Sequence, residues 1–407
     1  MAAPYAIAFF FCLPVFVIYV LTPGSRFESW YGAPKLLSGT ELHALYFGML
    51  LLLFGVSAYA SSRGGASERP YALAYSRSVP TWYLRAVLLL ALFAYVLWFG
   101  VAVYRAGGIS DLLSVYLVRP FYTKQVLLRT LPGVTTLTQL AVAGVPLALC
   151  YGKLKRTDRA IVLAVLLFAV ARAFLHSERL ALIELGVPVA YLLLSSRRTT
   201  WRRAVRGIVV FACVIIVFFV VSESRRSLVF VQVESVVDVV SVGTLRLLGY
   251  YLTSVNNALF LFSRSGFAAP FFYTFQSIWR FPGIGISYSR VTGVDGVWMP
   301  ELLAQNGMNP EFNTPTAIGS WMVDFGAWGV PIVVLAFGLL SGVLYRHATH
   351  SKFIASLYSV WLVGLLELLL VDYFTNVRLF PAYMVFCGAL FLLAPPKCAT
   401  NGERVEQ

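Results

Sequence analysis

Long hydrophobic runs alternate with short polar connectors along most of the 407-residue chain. A helix that crosses a membrane needs about 20 largely apolar residues, and about ten runs meet or nearly meet that length. Their approximate bounds are 5–22, 41–60, 84–104, 132–151, 160–176, 180–195, 207–222, 316–345, 353–371 and 380–395. The pattern therefore predicts an all-α polytopic membrane protein with about ten transmembrane helices.

The longest interruption of this pattern, residues 223–315, is too polar to lie in a bilayer as a whole. Residues 233–262 are densely apolar but carry charges, which predicts one or two amphipathic helices lying on the membrane or packed over the spans. Residues 271–298 are aromatic with Pro and Gly, which predicts irregular structure over a cavity. We therefore expect one integral membrane domain, residues 1–407, whose large extracytoplasmic loop, residues 223–315, holds the working part.

Composition supports the membrane assignment. The chain is 59% hydrophobic and 12% charged, with a mean hydropathy of +0.77, whereas soluble proteins are about 45–50% apolar. The formal net charge is +14, and the basic residues lie between apolar runs, which favours anionic lipid over nucleic acid as a partner.

The N-terminal run lacks a basic preceding region and a small-residue cleavage site, so we expect a retained first span.

Basic residues concentrate in alternate connectors, which predicts the orientation of the chain. The basic connectors are 61–83, 152–159, 196–206 and 346–352. Because short loops rich in Lys and Arg stay in the cytoplasm, we expect these connectors and both termini there. The long loop is then extracytoplasmic, together with residues 23–40, 105–131, the turn HSER at 176–179 and residues 372–379.

Three segments of the C-terminal half resemble a known family. Residues 249–262 read GYYLTSVNNALFLF, residues 270–275 read PFFYTF, and residues 313–329 read NTPTAIGSWMVDFGAWG, followed by GLLSGVLYRH at 338–347. In order and spacing they resemble the C-terminal half of bacterial oligosaccharide repeat-unit polymerases of the O-antigen polymerase type. One family feature, an Arg followed eleven positions later by Gly in outer loops, has no counterpart here.

The resemblance implies a glycosyltransferase of GT-C-like architecture in the bacterial cytoplasmic (inner) membrane, acting on its outer face. Its substrate would be a polyprenyl-diphosphate-linked oligosaccharide, transferred from the lipid carrier to the non-reducing end of an incoming repeat unit. Membrane lipids, a flippase and a chain-length regulator are the other implied partners. An O-antigen ligase, which shares the architecture but uses another acceptor, is the alternative. A transporter would instead predict repeated halves and charges near mid-membrane.

The chemistry predicts a role for arginines. Breaking a sugar–diphosphate bond develops negative charge on the diphosphate, which guanidinium groups stabilise. The sequence has no HExxH motif, no DxD pair in the outer loops and no Gly-rich phosphate loop, so we expect neither a metal nor a cofactor. Arg179, at the mouth of the tight turn HSER, matches an arginine that the family carries at the start of this span. Arg226, where a span emerges, is the second catalytic candidate.

Further candidates follow from the need for a base and for sugar binding. Asp324, in the family-like MVDFGAWG, is the candidate base, with Asp295 and Glu301 as alternatives in the long loop. The position of Asp324 would equally suit a residue that caps or hinges the helix. Arg246 lies near two tyrosines that could form an aromatic floor for a sugar ring. The predicted substrate-binding residues are Arg246, Tyr250, Tyr251, Arg280, Arg290, Asn313 and Arg378. Arg172 and Glu184 are expected to form an ion pair inside the membrane.

Overall fold

The computed structural model describes residues 3–36, 41–63, 79–118, 123–129, 131, 133–151, 155–176, 179–195, 206–207, 209, 213–214, 216–220, 235–264, 269–279, 288–293 and 299–393. Every secondary-structure element with defined bounds in these ranges is helical. Six helices are long and apolar enough to cross a membrane: α1 (Pro4–Leu21), α3 (Glu41–Arg63), α4 (Thr81–Ala106), α6 (Val134–Tyr151), α7 (Arg156–His176) and α13 (Ala317–Ala348). The predicted all-α membrane class is therefore confirmed for the part of the chain that the structure describes.

Three shorter apolar helices match three further predicted runs: α8 (Arg179–Leu194), α14 (Lys352–Leu366) and α15 (Phe380–Leu392). The predicted run 207–222 falls largely outside the described residues, so the count of ten spans stays a prediction. The remaining helices are α2 (Gly24–Tyr31), α5 (Ile109–Val118), α9 (Val236–Ser263), α10 (Gln276–Trp279), α11 (Tyr288–Thr292) and α12 (Met299–Gln305).

Helix α9 is one continuous helix of 28 residues rather than two. Ser235 begins it, because its side chain accepts a hydrogen bond from the amide of Val237 at 3.2 Å and so satisfies an otherwise unpaired helix donor. The C-terminal half is buried and packs against α1, α3 and α13. This half therefore packs against predicted spans, while its position relative to the membrane surface stays a prediction.

Two asparagines in the buried half of α9 tie it to neighbouring chain. Asn256 donates to the carbonyl of Pro34 at 3.0 Å and accepts from the hydroxyl of Tyr19 at 2.7 Å. Asn257 donates to the carbonyls of Phe312 at 2.7 Å and Thr314 at 3.1 Å. These bonds satisfy the carbonyls of Pro34 and Thr314, which lie outside helices, and of Phe312 at the end of a short 3-10 turn (Pro310–Phe312), and so they hold the segment preceding α13 in place.

Helices α3 and α13 pack closely against each other, with small residues at their contact. A Cβ atom added at Gly338 would lie 2.0 Å from Ser57 Oγ, and one added at Gly342 would lie 2.0 Å from Ser61 Oγ. Each helix thus presents two small residues four positions apart, a pattern that allows close approach of helices in membranes. This contact fixes the position of α13 relative to the N-terminal helices.

Helix α13 contains a break at Gly326, whose φ of 66° and ψ of 179° are not helical. A positive φ is readily adopted only by glycine, so the residue type accounts for the break. The hydroxyl of Tyr46 donates to the carbonyl of Ala327 directly after it. Residues 317–325 therefore form a short separate section at the start of α13, and Asp324 lies at its end.

One end of the helix bundle carries most of the buried polar side chains. Helices α8, α13 and α15 begin there and α14 ends there, as shown by bonds from Ala317 to Leu368 at 3.0 Å and from Arg378 to Glu184 at 2.6 Å. Residues 269–279 pack over this end, and we refer to it as the capped end. Arg85 and Asp158 lie at the opposite end, where α4 and α7 begin.

Candidate functional site

The connector between α14 and α15, residues 367–379, contributes most of the polar side chains at the capped end. It is not helical, yet Glu367 and Asp372 are each only 1% exposed and Tyr373 is completely buried. Backbone without regular structure needs other partners when it is buried. Here the partners come from α8, from the start of α13 and from residues 269–279.

Arg378 and Glu184 form a bidentate ion pair across this connector. Arg378 Nε lies 2.6 Å from Glu184 Oε1, and Nη2 lies 3.0 Å from Oε2. The hydroxyl of Tyr373 also donates to Oε1. Glu184 is 2% exposed, whereas 24% of the Arg378 side chain is exposed. The pair therefore extends from the interior of the bundle to its surface.

The predicted ion pair between Arg172 and Glu184 is wrong. Glu184 is paired with Arg378, while Arg172 donates to the hydroxyl of Thr138. Arg172 is 6% exposed, and its Nε has no hydrogen-bond partner among the described residues. The prediction failed because it considered only the two helices that are adjacent in sequence, and the carboxylate turns toward the C-terminal connector instead.

Asp372 is a buried carboxylate with two different oxygens. Its Oδ2 accepts hydrogen bonds from Trp321 Nε1 at 3.0 Å and from the Thr375 hydroxyl at 2.6 Å. Its Oδ1 has no hydrogen-bond partner in the described part of the chain. Burial raises the pKa of Asp372 to about 6 from its ordinary value of 3.8, against the lowering effect of the two donors. A carboxyl of this kind can accept or release a proton near neutral pH.

Asp324 holds residues 269–279 against α13. Its carboxylate accepts from the amide of Tyr273 at 2.9 Å, from the amide of Thr274 at 2.6 Å and from the Thr274 hydroxyl at 2.7 Å. It is 5% exposed. The Thr375 hydroxyl, which binds Asp372, also lies 3.2 Å from the carbonyl of Tyr273. The two carboxylates therefore lie in the same polar region at the capped end.

The other predicted binding residues lie away from this group or pack differently. Arg246 pairs with Glu311 at 2.6 Å, and its guanidinium lies 5.4 Å from the ring centre of Phe312. Tyr250 packs edge-on against the same ring at 4.8 Å, and Tyr251 packs against a ring of α1 at 5.4 Å. The aromatic ring beneath Arg246 is Phe312, and a floor for a sugar ring formed by Tyr250 and Tyr251 stays a prediction.

The remaining candidates are placed as follows. Arg290 is exposed on α11, and Asn313 is half-buried between a turn and the start of α13. Arg179 begins α8, but its side chain lies outside the described residues, as do Arg226 and Arg280 as a whole. The structure therefore brings Asp324 and Arg378 into one region and leaves the catalytic roles of Arg179 and Arg226 as predictions.

Sequence reasoning missed several residues of the site, namely Thr274, Asp372, Tyr373 and Thr375. A signal was present in DYFTNVR, residues 372–378, where five polar or hydrogen-bonding side chains interrupt two apolar runs. Such a connector would be read as an ordinary outer loop because its length is typical. What distinguishes this connector from an ordinary loop is that its polar side chains are buried. Their burial depends on contacts with segments far away in sequence.

No match to a family model, a curated protein or a solved structure is found for this chain.

Among the residues that the structure describes, no group of three or more His, Cys, Asp or Glu side chains is arranged to hold a metal ion. The arrangement offers instead a fixed guanidinium for an anion and two carboxylates that can hold a proton or orient a hydroxyl group.

Proposed function

We propose that this protein polymerises polyprenyl-diphosphate-linked oligosaccharide repeat units by glycosyl transfer on the outer face of the bacterial cytoplasmic membrane. In this proposal the capped end is the catalytic end. An arginine binds the diphosphate of the leaving lipid carrier, and a carboxylate orients or deprotonates the acceptor hydroxyl. The product is a surface polysaccharide, such as O-antigen, capsule or exopolysaccharide.

The observation that carries the proposal is the setting of Arg378. Its guanidinium is fixed by a buried carboxylate at one end of a membrane bundle, and about a quarter of its side chain reaches the surface (24% exposed). A planar guanidinium suits a pair of phosphate oxygens better than an ammonium group does. Asp324 and Asp372 lie at the same capped end of the bundle, so the proposal places an anion site and a proton acceptor at one end of the protein.

The proposal includes a topology of about ten spans, a GT-C-like architecture and cytoplasmic termini, with residues 223–315 outside. It is supported by the six long apolar helices, by three shorter ones at predicted positions and by the basic connectors. A flippase and a chain-length regulator are the proposed protein partners.

The decisive experiment supplies purified protein in lipid with the lipid-linked repeat units of the source cell, in excess chelator, and separates the products on a gel. We expect a ladder of polymer from the wild type without added metal. Arg378→Ala should lose about a hundredfold or more of the rate, as expected when a charge-stabilising donor is removed, and Arg378→Lys should recover part of it. Arg85→Ala, which removes an ion-paired arginine from the opposite end, should retain activity.

Each other result contradicts a stated part of the proposal. Transfer of preformed glycan to a lipid acceptor without chain growth would indicate a ligase. Precursor moved across the membrane but never extended would indicate a transporter. Polymer that appears only with magnesium or manganese would overturn the metal-independent chemistry. Full activity of Arg378→Ala would show that Arg378 does not bind the diphosphate.

A further inference from the structure

We propose that Glu184 and Tyr373 are positioning residues that set the direction of the Arg378 guanidinium toward the diphosphate of a polyprenyl-linked substrate. This inference rests on the proposed function for its substrate class. It assigns a task to an acidic residue buried within an apolar helix, which sequence reasoning paired with a different arginine.

The contacts fix both the plane and the direction of the guanidinium. The pair joins Nε and Nη2 of Arg378 to the two oxygens of Glu184, so rotation about the end of the side chain would break at least one bond. Tyr373 holds the shared oxygen Oε1. The backbone is fixed as well, because the amide of Arg378 donates to the side chain of Asn376 at 3.1 Å.

Stability alone is a weak reason to keep this arrangement. Removing a carboxylate and a guanidinium from water costs several kcal/mol, and apolar residues of similar size often serve stability equally well. A free arginine side chain, in contrast, loses up to about 2 kcal/mol of rotamer entropy when a ligand immobilises it. A carboxylate that holds the guanidinium in advance removes that cost from the binding step.

The ion pair of Arg85 and Asp158 is a matched control from the same chain. It is also bidentate, with Nε–Oδ1 at 2.8 Å and Nη2–Oδ2 at 3.2 Å. It joins two helices at the opposite end of the bundle, and 43% of the Arg85 side chain is exposed. Asp158→Asn therefore removes the same kind of contact without affecting the capped end.

The test measures two properties of wild type, Glu184→Gln, Tyr373→Phe and Asp158→Asn in lipid nanodiscs. The first is the affinity for a polyprenyl diphosphate without sugar, and the second is kcat and KM for the lipid-linked repeat unit. We expect Glu184→Gln to weaken diphosphate binding and to lower kcat/KM by about ten- to a hundredfold, because a misplacement of about 1 Å costs this much. Tyr373→Phe should lose less, and Asp158→Asn should remain within about twofold of wild type.

A double-mutant cycle separates positioning from a purely structural role. Lysine cannot form the bidentate contact, so Glu184→Gln should add little further loss of affinity when Arg378 is already replaced by Lys. A structural role predicts the same loss in both backgrounds, accompanied by a lower thermal unfolding midpoint. Tyr373→Phe keeps the test informative if Glu184→Gln fails to fold.

The two measurements distinguish failure of this inference from failure of the proposed function. Diphosphate binding that depends on Glu184, in a protein that makes no polymer, would support the positioning role and overturn the polymerase. Polymer formation with unchanged affinity in Glu184→Gln and Tyr373→Phe would support the polymerase and overturn the positioning role. Wild-type protein that does not bind polyprenyl diphosphate would overturn both.

Discussion

Replacing Asp324 by Asn is expected to release residues 269–279 from the start of α13 while leaving the helix bundle folded. Asp324 accepts three hydrogen bonds from this segment, two of them from backbone amides. An asparagine side chain offers one carbonyl oxygen and presents an NH₂ group to a backbone N–H, so at least one of the three bonds is lost. The carboxylate would therefore act as an anchor whose replacement has a local effect.

The magnitude follows from the number and kind of these bonds. A hydrogen bond to a charged group contributes about 1.5–3 kcal/mol, and one between neutral groups about 0.5–1.5 kcal/mol. With about 2 kcal/mol for each charged bond and about 1.5 kcal/mol for each neutral one, losing one bond and converting two to neutral ones should destabilise the docked segment by about 3 kcal/mol. Since each 1.4 kcal/mol corresponds to a factor of ten, the released population should increase by roughly a hundredfold.

Hydrogen exchange at the amides of Tyr273 and Thr274, measured in nanodiscs, provides the assay. These two amides should exchange roughly a hundredfold faster in Asp324→Asn, because exchange reports local opening. The control is Asp238→Asn, which changes an exposed acid in the first turn of α9. Unchanged exchange in Asp324→Asn, combined with loss of polymer, would refute the anchor and support the role of base that the sequence predicted.

Two further predictions test packing and protonation. Gly342→Val should lower the thermal unfolding midpoint in detergent, because a Cβ added at Gly342 would lie 2.0 Å from Ser61 Oγ. The control, Gly100→Ala, should leave the midpoint unchanged, because no atom lies within 4 Å of a Cβ added at Gly100. Burial raises the pKa of Asp372 to about 6 from 3.8, so the folded protein holds this proton more tightly than the unfolded chain. The free energy of unfolding should therefore fall by about 3 kcal/mol as pH rises from about 3 to about 7, and this part of the slope should vanish in Asp372→Asn but not in Asp238→Asn.

The helices were predictable because their apolar length is a local property of the sequence. The runs 41–60 and 160–176 correspond to the helices Glu41–Arg63 and Arg156–His176. Each helix extends only a few residues beyond its apolar run, at a charged end. A break in α13 agrees with one of the two roles predicted for Asp324, namely that it caps or hinges the helix at a position among glycines. Gly326 has the positive φ that this role requires.

The partners of the buried charges were not predictable because they depend on tertiary packing. Glu184 lies 12 positions from Arg172 in the sequence but binds Arg378, which is 194 positions away. Asp324 binds residues 50 and 51 positions before it. A single sequence contains no information on such distant pairs beyond the need of every buried charge for a partner, and several candidates satisfied that need equally well.

The lengths of α14 and α15 explain why the polar connector between them is buried. The two helices have 15 and 13 residues, which at 1.5 Å per residue gives about 22 and 20 Å, whereas the hydrocarbon layer is about 30 Å thick. If α14 begins and α15 ends near one surface, the connector between them lies about 8–10 Å short of the other. Non-helical backbone at that depth persists only where protein covers it or a polar recess adjoins it. In the proposed function the polyprenyl diphosphate keeps its chain among the lipid tails and its charge near the headgroups, and Arg378 would reach that charge from this connector. This geometry supports placing Arg378, on the same connector, at the diphosphate rather than at the distant sugars.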